Sequence, residues 1–373
     1  MFSIGIYSPR DLKIKGRNNH RNIGTNTANT TIHQKQPNPD RLWRRGDAVT
    51  NYRGIVFVKT TPSKQPEVHM NDIELPDHFN YIAVFLTFSC QLRCTYCINH
   101  HGGNLVKGRK MSTEDWIHGL NRLKCRDIPI TIQGGEPTVY KGFYDLIAGI
   151  KPEISIDLLT NLEVDIERFS KSIPPERMHR KAPYANIRVS YHEGQSDFHT
   201  TCERVLTLQR AGYSIGVFEV NHPDYRPQVQ SRKRIACEMG IDWRIKEFLG
   251  PWKGVNYGTF RYPNAVNDRN LRHCMCRTSE LLVDPSGNVF RCHSDLYANR
   301  GGIGHLLDKD ISSVLGKWKW CGVYGKCNSC DIKVKNDRFQ QFGHSSVEIK
   351  EIEEPHLTNK DYVKEVENTY GKQ

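Results

Sequence analysis

No apolar run in this chain approaches the roughly 20 residues that span a bilayer, and its opening MFSIGIYSPRDLK lacks the apolar core of a secretory signal. A soluble cytoplasmic protein is the expectation. No stretch reads as an RRM or an OB barrel, and residues 1–78 carry no winged-helix leader-peptide pattern. RNA and leader peptides therefore have no dedicated binding fold here. What the chain does have is length, 373 residues, enough for one large domain and a smaller one, with 37% hydrophobic residues. It also has 12 cysteines and a net charge of +12. Three quarters of that excess lies in residues 1–65, where 12 basic side chains face 3 acidic ones. Such a segment suits nucleic acid, an acidic peptide or an acidic electron donor, and equally a solvated arm.

Nine of the cysteines fall in two tight groups, 90–97 and 274–330. In a chain without an export signal, metal ligation is the better reading of such groups than disulfide bonding. The first group ends an apolar run, YIAVFLTFSCQLRCTYC, that reads as a buried strand delivering a loop. Cys90, Cys94 and Cys97 form a C-x3-C-x2-C triad. Three thiolates at this spacing can hold three corners of an iron–sulfur cube that normally takes four, leaving one iron open. A zinc knuckle completed by His100 or His101 fits the same spacing.

The next strand-like run ends in QGGEPT, 133–138. Together with the triad this resembles the radical S-adenosylmethionine (SAM) superfamily. Cys90, Cys94 and Cys97 match its cluster motif, Tyr96 its aromatic position before the third cysteine, and Gly134, Gly135 and Glu136 its GGE motif, which contacts the amino group of SAM. The resemblance implies a [4Fe–4S] cluster that chelates SAM at its open iron. It implies reductive cleavage to methionine and a 5′-deoxyadenosyl radical, which takes hydrogen from an unactivated C–H bond. A flavodoxin- or ferredoxin-like protein is the implied electron donor.

The chain order agrees with an α/β fold. Strands are expected at 81–88, 128–133, 154–160, 187–191, 214–220 and 241–248. Helices are expected after the Ser112 or Thr113 cap and over 141–150, 163–171, 198–211 and 224–239. Six strands alternating with helices argue for a parallel sheet with right-handed crossovers, and the family implies a partial (β/α)6 TIM-like barrel over 79–250. Chemistry in such barrels collects at strand C-terminal ends. Thr160 and Asn161 end the third strand, Ser190 to Glu193 the fourth, Glu219 and Asn221 the fifth, and Lys246 and Phe248 the sixth. By position Ser190 resembles a ribose contact of the family, Phe248 an adenine-stacking residue, and Asn161 a further cofactor contact.

After a turn-rich linker, 250–270, the second group brings Cys274, Cys276, Cys292, Cys321, Cys327 and Cys330 around a hairpin turning at DPSG, with a helix expected at 310–319. A zinc ribbon is one reading. The order of an upstream cysteine, G-x4-C (Gly287, Cys292) and C-x2-C (Cys327, Cys330) resembles the twitch domain, the shorter relative of the SPASM domain. That resemblance implies a small cysteine-rich hairpin-plus-helix domain over 251–332 holding one auxiliary [4Fe–4S] cluster, an electron acceptor or relay. Cys274 is the favoured upstream ligand; Cys276 and Cys321 exceed the minimal pattern. Residues 333–373 read as a polar tail with a short helix at DYVKEVENTY, and Cys125, Cys202 and Cys237 as packing residues. The function expected is a radical SAM oxidoreductase or maturase acting on a peptide or small metabolite. An RNA-modifying enzyme and a non-catalytic iron–sulfur or zinc protein are the alternatives.

Overall fold

The computed structural model describes residues 50–52, 55–57, 71–98, 110–268, 271–335 and 344–352. Most of the basic N-terminal segment, His100, His101 and the DYVKEVENTY helix lie outside them. The chain divides into two units at Glu67/Val68. In the first, Thr50–Tyr52 pairs antiparallel with Ile55–Phe57.

Six strands of the second unit fall where the apolar runs predict: β1 Tyr81–Thr87, β2 Ile130–Gly134, β3 Ile156–Thr160, β4 Ile187–Tyr191, β5 Ile215–Asn221 and β6 Trp243–Glu247. They are parallel neighbours in sequence order. Helices α1 Thr113–Leu120, α2 Phe143–Gly149, α3 Ile166–Ser172, α4 Phe198–Arg210 and α5 Arg226–Glu238 connect them. Caps set the helix starts: Ser112, Asp165 and Asp197 accept the backbone N–H of Asp115, Arg168 and Thr200.

The two faces of the sheet differ, because alternate side chains point opposite ways. Ile82, Val84, Leu86, Ile130, Ile132, Ile156, Leu158, Ile187, Val189, Ile215 and Val217 share one core with the helices. The opposite face carries Gln133, Leu159, Ser190, Phe218 and Lys246, all half-buried. Beneath them Asp157, fully buried, pairs with Arg180 and Arg188 and accepts from Tyr184 and Asn186.

The rest of the chain supplies β7 Arg272–Thr278, β8 Glu280–Val283, β9 Asn288–Phe290, α6 His293–Ala298, β10 Gly304–His305, β11 Lys319–Tyr324, α7 Ser329–Ile332 and β12 Val347–Glu351. The hairpin β8–β9 turns at DPSG as expected, but it is not confined to a separate module. β8 pairs parallel with β1, so β8, β9 and β10 extend the main sheet to nine strands. It is therefore a mixed sheet. The 310–319 helix is replaced by a single turn at Ile311–Val314 and then β11, whose Trp320 and Cys321 pair with β7. Bulky aromatic residues in WKWC suit a pleated surface better than a helix. The linker contains a hairpin, Gly250–Trp252 with Val255–Tyr257. Within the expected tail, β12 completes a three-stranded sheet on the other edge of β7.

One ion pair joins these parts. Glu280 at the start of β8 is buried and paired with Lys335, with His293 Nδ1 4.0 Å away. Burial opposes its charge, but Lys335 and His293 more than offset this and hold its pKa down at about 2. A depressed carboxyl adds stability above its ordinary value of 4.5 that is lost as the pH falls toward about 2. Lys335→Met, which strands the carboxylate, is expected to cost about 3–5 kcal/mol at neutral pH, read as a lower urea midpoint. An unchanged midpoint contradicts the account.

Candidate active site

The first cysteine loop leaves the C-terminal end of β1 and is pinned from behind by the GGE turn at the end of β2. Gly135 N–H donates to Thr87 C=O at 2.7 Å, and Glu136 N–H to Ser89 C=O at 2.9 Å. The two glycines permit this approach. A Cβ on Gly135 would stand 2.3 Å from the Ser89 carbonyl oxygen. One on Gly134, whose φ is +151°, would stand 2.1 Å from that of Thr87.

Glu136 follows with 1% exposure. Its Oε1 accepts from Thr138 N (3.1 Å), Thr138 Oγ1 (2.7 Å) and Thr160 Oγ1 (2.8 Å), and its Oε2 from Asn161 N (2.7 Å). Burial outweighs these bonds and raises its pKa. The carboxylate is thus taken up in tying the end of β2 to the end of β3. The motif's backbone is what remains to meet a ligand. Asn161 carries the link onward, its Nδ2 reaching Cys90 Sγ at 3.7 Å while its Oδ1 accepts from Gln91 at 3.2 Å.

Cys94 is buried and Cys90 and Cys97 half-buried. Burial first, then the charges of Cys97 and Cys90, push Cys94 up to about 11, and burial also raises Cys90. Metal-free, Cys94 stays protonated at neutral pH; bound iron would turn such thiols into ligands. The donor set therefore fits a cluster. Among the described residues no three His, Cys, Asp or Glu side chains converge as a single ion requires. A cube spreads its thiolates over separate irons.

Beside the loop stands an aromatic group at the ends of β4 to β6. Tyr96 Oη lies 3.1 Å from His192 Nδ1, and its ring packs near His222 and Phe248 at 5.4 and 6.4 Å. His222 is also ringed by Tyr225, Phe248 and Trp252. His222 Nε2, within this aromatic group, is buried without a hydrogen-bond partner, as is Oδ1 of the preceding Asn221. Burial, then Lys246, lowers His192 to about 4, keeping it neutral. Phe248 contacts its neighbours edge-on, and Ser190 stands half-buried on the inner face of β4. Other strand-end residues turn to the helices: Glu219 is held by Arg232 and Trp243, and Tyr191 packs on Trp243.

The second cysteine group gathers around β7. Cys274 and Cys276 share one face, and Cys321 on β11 is directly opposite Cys274. These three pack with Cys292 and Cys327 in one buried cluster. Hydrogen bonds from Cys274 and Cys276 hold Cys321 low, while those same contacts and burial raise Cys276. Burial raises Cys292 and takes Cys327 to about 12. Arg291, half-buried, keeps its charge within reach of Cys276, Cys292 and Cys321 and donates to Asp295 and the Trp320 carbonyl. Five of the six thiols thus belong to one packed cluster, and Cys330 lies on α7. Between the two groups run Phe88, Phe85, Tyr297 and His293, their successive rings 5.6–6.3 Å apart. Of the remaining cysteines, Cys125 and Cys202 are packed in the core, but Cys237 is exposed on α5, against expectation: the basic outer face of that helix meets solvent.

Residues 84–189 match the model of the Radical SAM superfamily. That stretch runs from β1 through the triad and GGE turn to β4, so the cysteine loop and the GGE turn both lie in the segment that is similar to that family. Curated relatives include the GTP 3′,8-cyclases of Clostridium perfringens strain 13, 26% identical over 55% of this chain and 64% of its own, and strain SM101, 29% identical over 36% and 42%. The match is thus under two thirds of either relative's length. That of Klebsiella pneumoniae is 24% identical over 74% of this chain and 83% of its own. Among solved structures, native anSMEcpe with bound AdoMet and Kp18Cys peptide superposes with a TM-score of 0.45 at 15% identity, over 65% of this chain and 79% of that one. No helix among the described residues is long and apolar enough to cross a membrane.

Sequence reasoning passed over Gln91, Thr138, His222, His293, Glu280 and Asp331. Those nearest a cysteine, in CHSD and CD, carried the only signal: charge where a plain ligand loop needs none. Gly135→Ala is expected to displace the cysteine loop and lower iron content by about four per chain, the content of one cluster, with circular dichroism unchanged. Undiminished iron would show that the close approach is not required.

Proposed function

We propose that Cys90, Cys94 and Cys97 hold the SAM-binding [4Fe–4S] cluster and that the chain uses it to abstract hydrogen from a small-molecule substrate. The observation that carries this reading is the GGE backbone locked against the cysteine loop. When bound, the cluster supplies the electron that splits SAM. The protein's own share is placement: Gly134, Gly135 and Asn161 fix the loop, Tyr96, Ser190 and Phe248 flank the SAM position, and buried aromatic residues keep water out. The parallel strands β1 to β6, in serial order, are taken to curl as a partial barrel around that position.

The second group is proposed as a twitch-like site for one auxiliary [4Fe–4S] cluster, drawing its ligands from Cys274, Cys276, Cys292, Cys321, Cys327 and Cys330. Its part would be to accept or relay an electron, with a flavodoxin- or ferredoxin-like protein as the outside reductant. Arg291 beside the thiols supports this, since a nearby cation offsets the charge of thiolate ligands.

The relatives named GTP 3′,8-cyclase make a nucleotide the first compound to try. Nothing in the site or among the named relatives supports the RNA-modifying reading, and it is not carried further.

Anaerobic reconstitution is expected to give about eight irons per chain, falling to about four when Cys90, Cys94 and Cys97 are all changed to Ala. About four falling to none would remove the auxiliary cluster. Zinc in both groups without sulfide would overturn the whole reading.

A further inference from the structure

Two of the cysteines in the second group are joined by a carboxylate that belongs to neither. Asp331, 2% exposed, follows Cys330 directly. Its Oδ1 accepts from His293 N at 2.8 Å and lies 2.9 Å from His293 Nδ1, and its Oδ2 accepts from Ser294 N at 3.0 Å. His293 and Ser294 come directly after Cys292, the N-cap of α6. A single side chain thus clamps the start of α6 to α7, across 38 residues of sequence. The neighbours make it rigid. His293 Nδ1 also faces Glu280, Glu280 pairs with Lys335, and Lys335 returns to the segment that carries Asp331. Ser294 Oγ adds a bond to the Lys326 carbonyl at 3.2 Å.

We propose that Asp331 is the positioning residue of the second cysteine centre. Its carboxylate fixes Cys292 and Cys330 at the spacing a cluster needs, and it places a negative charge beside the cluster that holds its reduction potential down. The proposal rests on the reading that this group binds an iron–sulfur cluster. Iron delivers no geometry of its own to a loose pair of loops, and partners outside the ligand shell orient the ligands. Charge and hydrogen bonding around the sulfurs also tune cluster potentials. Two oxygens receiving two backbone N–H groups and facing an imidazole make a clamp that Asn reproduces only in part, because its amide group has one acceptor. A plain helix cap would affect stability and leave the cluster alone.

The test compares full-length wild type, Cys292→Ala, Asp331→Ala and Asp331→Asn after anaerobic reconstitution. Iron, sulfide, the EPR signals of the reduced protein, a potentiometric titration and thermal melting are recorded for each. Cys292→Ala is expected to drop from about eight irons to about four, which checks the underlying reading separately. Asp331→Ala is expected to lose the same share and the same EPR signal, while the other signal still responds to SAM. Asp331→Asn is expected to keep its iron and show a higher midpoint potential for the second cluster only. Full iron in Asp331→Ala, or an unshifted potential in Asp331→Asn, overturns the proposal and leaves a cap. Should Asp331→Ala fail to fold, the potential of Asp331→Asn decides. No iron loss in Cys292→Ala removes the second cluster and this inference with it.

Discussion

A buried carboxylate with every bond made is the constraint on which this site depends. Glu136 accepts four hydrogen bonds in a place with almost no water. A charge so placed is tolerable only while its partners stay put. The partners are the ends of two adjacent strands, and the same turn grips the cysteine loop through Thr87 and Ser89. Three segments distant in sequence are therefore set against one another within one hydrogen-bond network. Loops tolerate drift; this loop does not, because backbone sits against backbone at Gly134 and Gly135 with no room for a methyl group.

Buried carboxylates tie other parts of the chain together as well. Asp157, Glu280 and Asp331 are each nearly inaccessible, and each ties elements that local sequence would leave independent. Asp157 gathers Arg180, Arg188, Tyr184 and Asn186 across β3 and β4. Glu280 joins β8 to Lys335, and Asp331 joins α6 to α7. The apolar core against the helices supplies most of the driving force for folding, while these charged groups fix how the parts meet. Because β8 lies beside β1 and leads through β9 to Cys292, one cysteine of the second group follows a strand of the sheet that carries the first group, while Cys274, Cys276 and Cys321 lie on the separate three-stranded sheet. The aromatic run through Phe88, Tyr297 and His293 fills the space between them.

How much of this was legible follows from the range of each signal. The six parallel strands, their five helices and the Ser112 cap could be read because period, capping and apolar runs are local. The triad and the GGE turn could be read because close ligands and glycines leave a short pattern. The pairing of β8 with β1 could not, since an apolar ELLV fits a free hairpin as well as a sheet extension. Nor could the inward turn of Glu136, where the motif alone suggests a ligand contact and the fold shows a carboxylate engaged by Thr138, Thr160 and Asn161. The strand in WKWC was read as helix because one short run lacks a decisive period. Asp331 was passed over because its partners lie 38 residues away.

The most direct test of the central reading is SAM cleavage by the reconstituted protein under strong reductant, without oxygen. The account predicts 5′-deoxyadenosine and methionine in equal amounts from the wild type, none from a Cys94→Ala variant, and a change in one reduced EPR signal when SAM is added. A fully iron-loaded protein that leaves SAM intact and whose EPR signals ignore it would contradict the account.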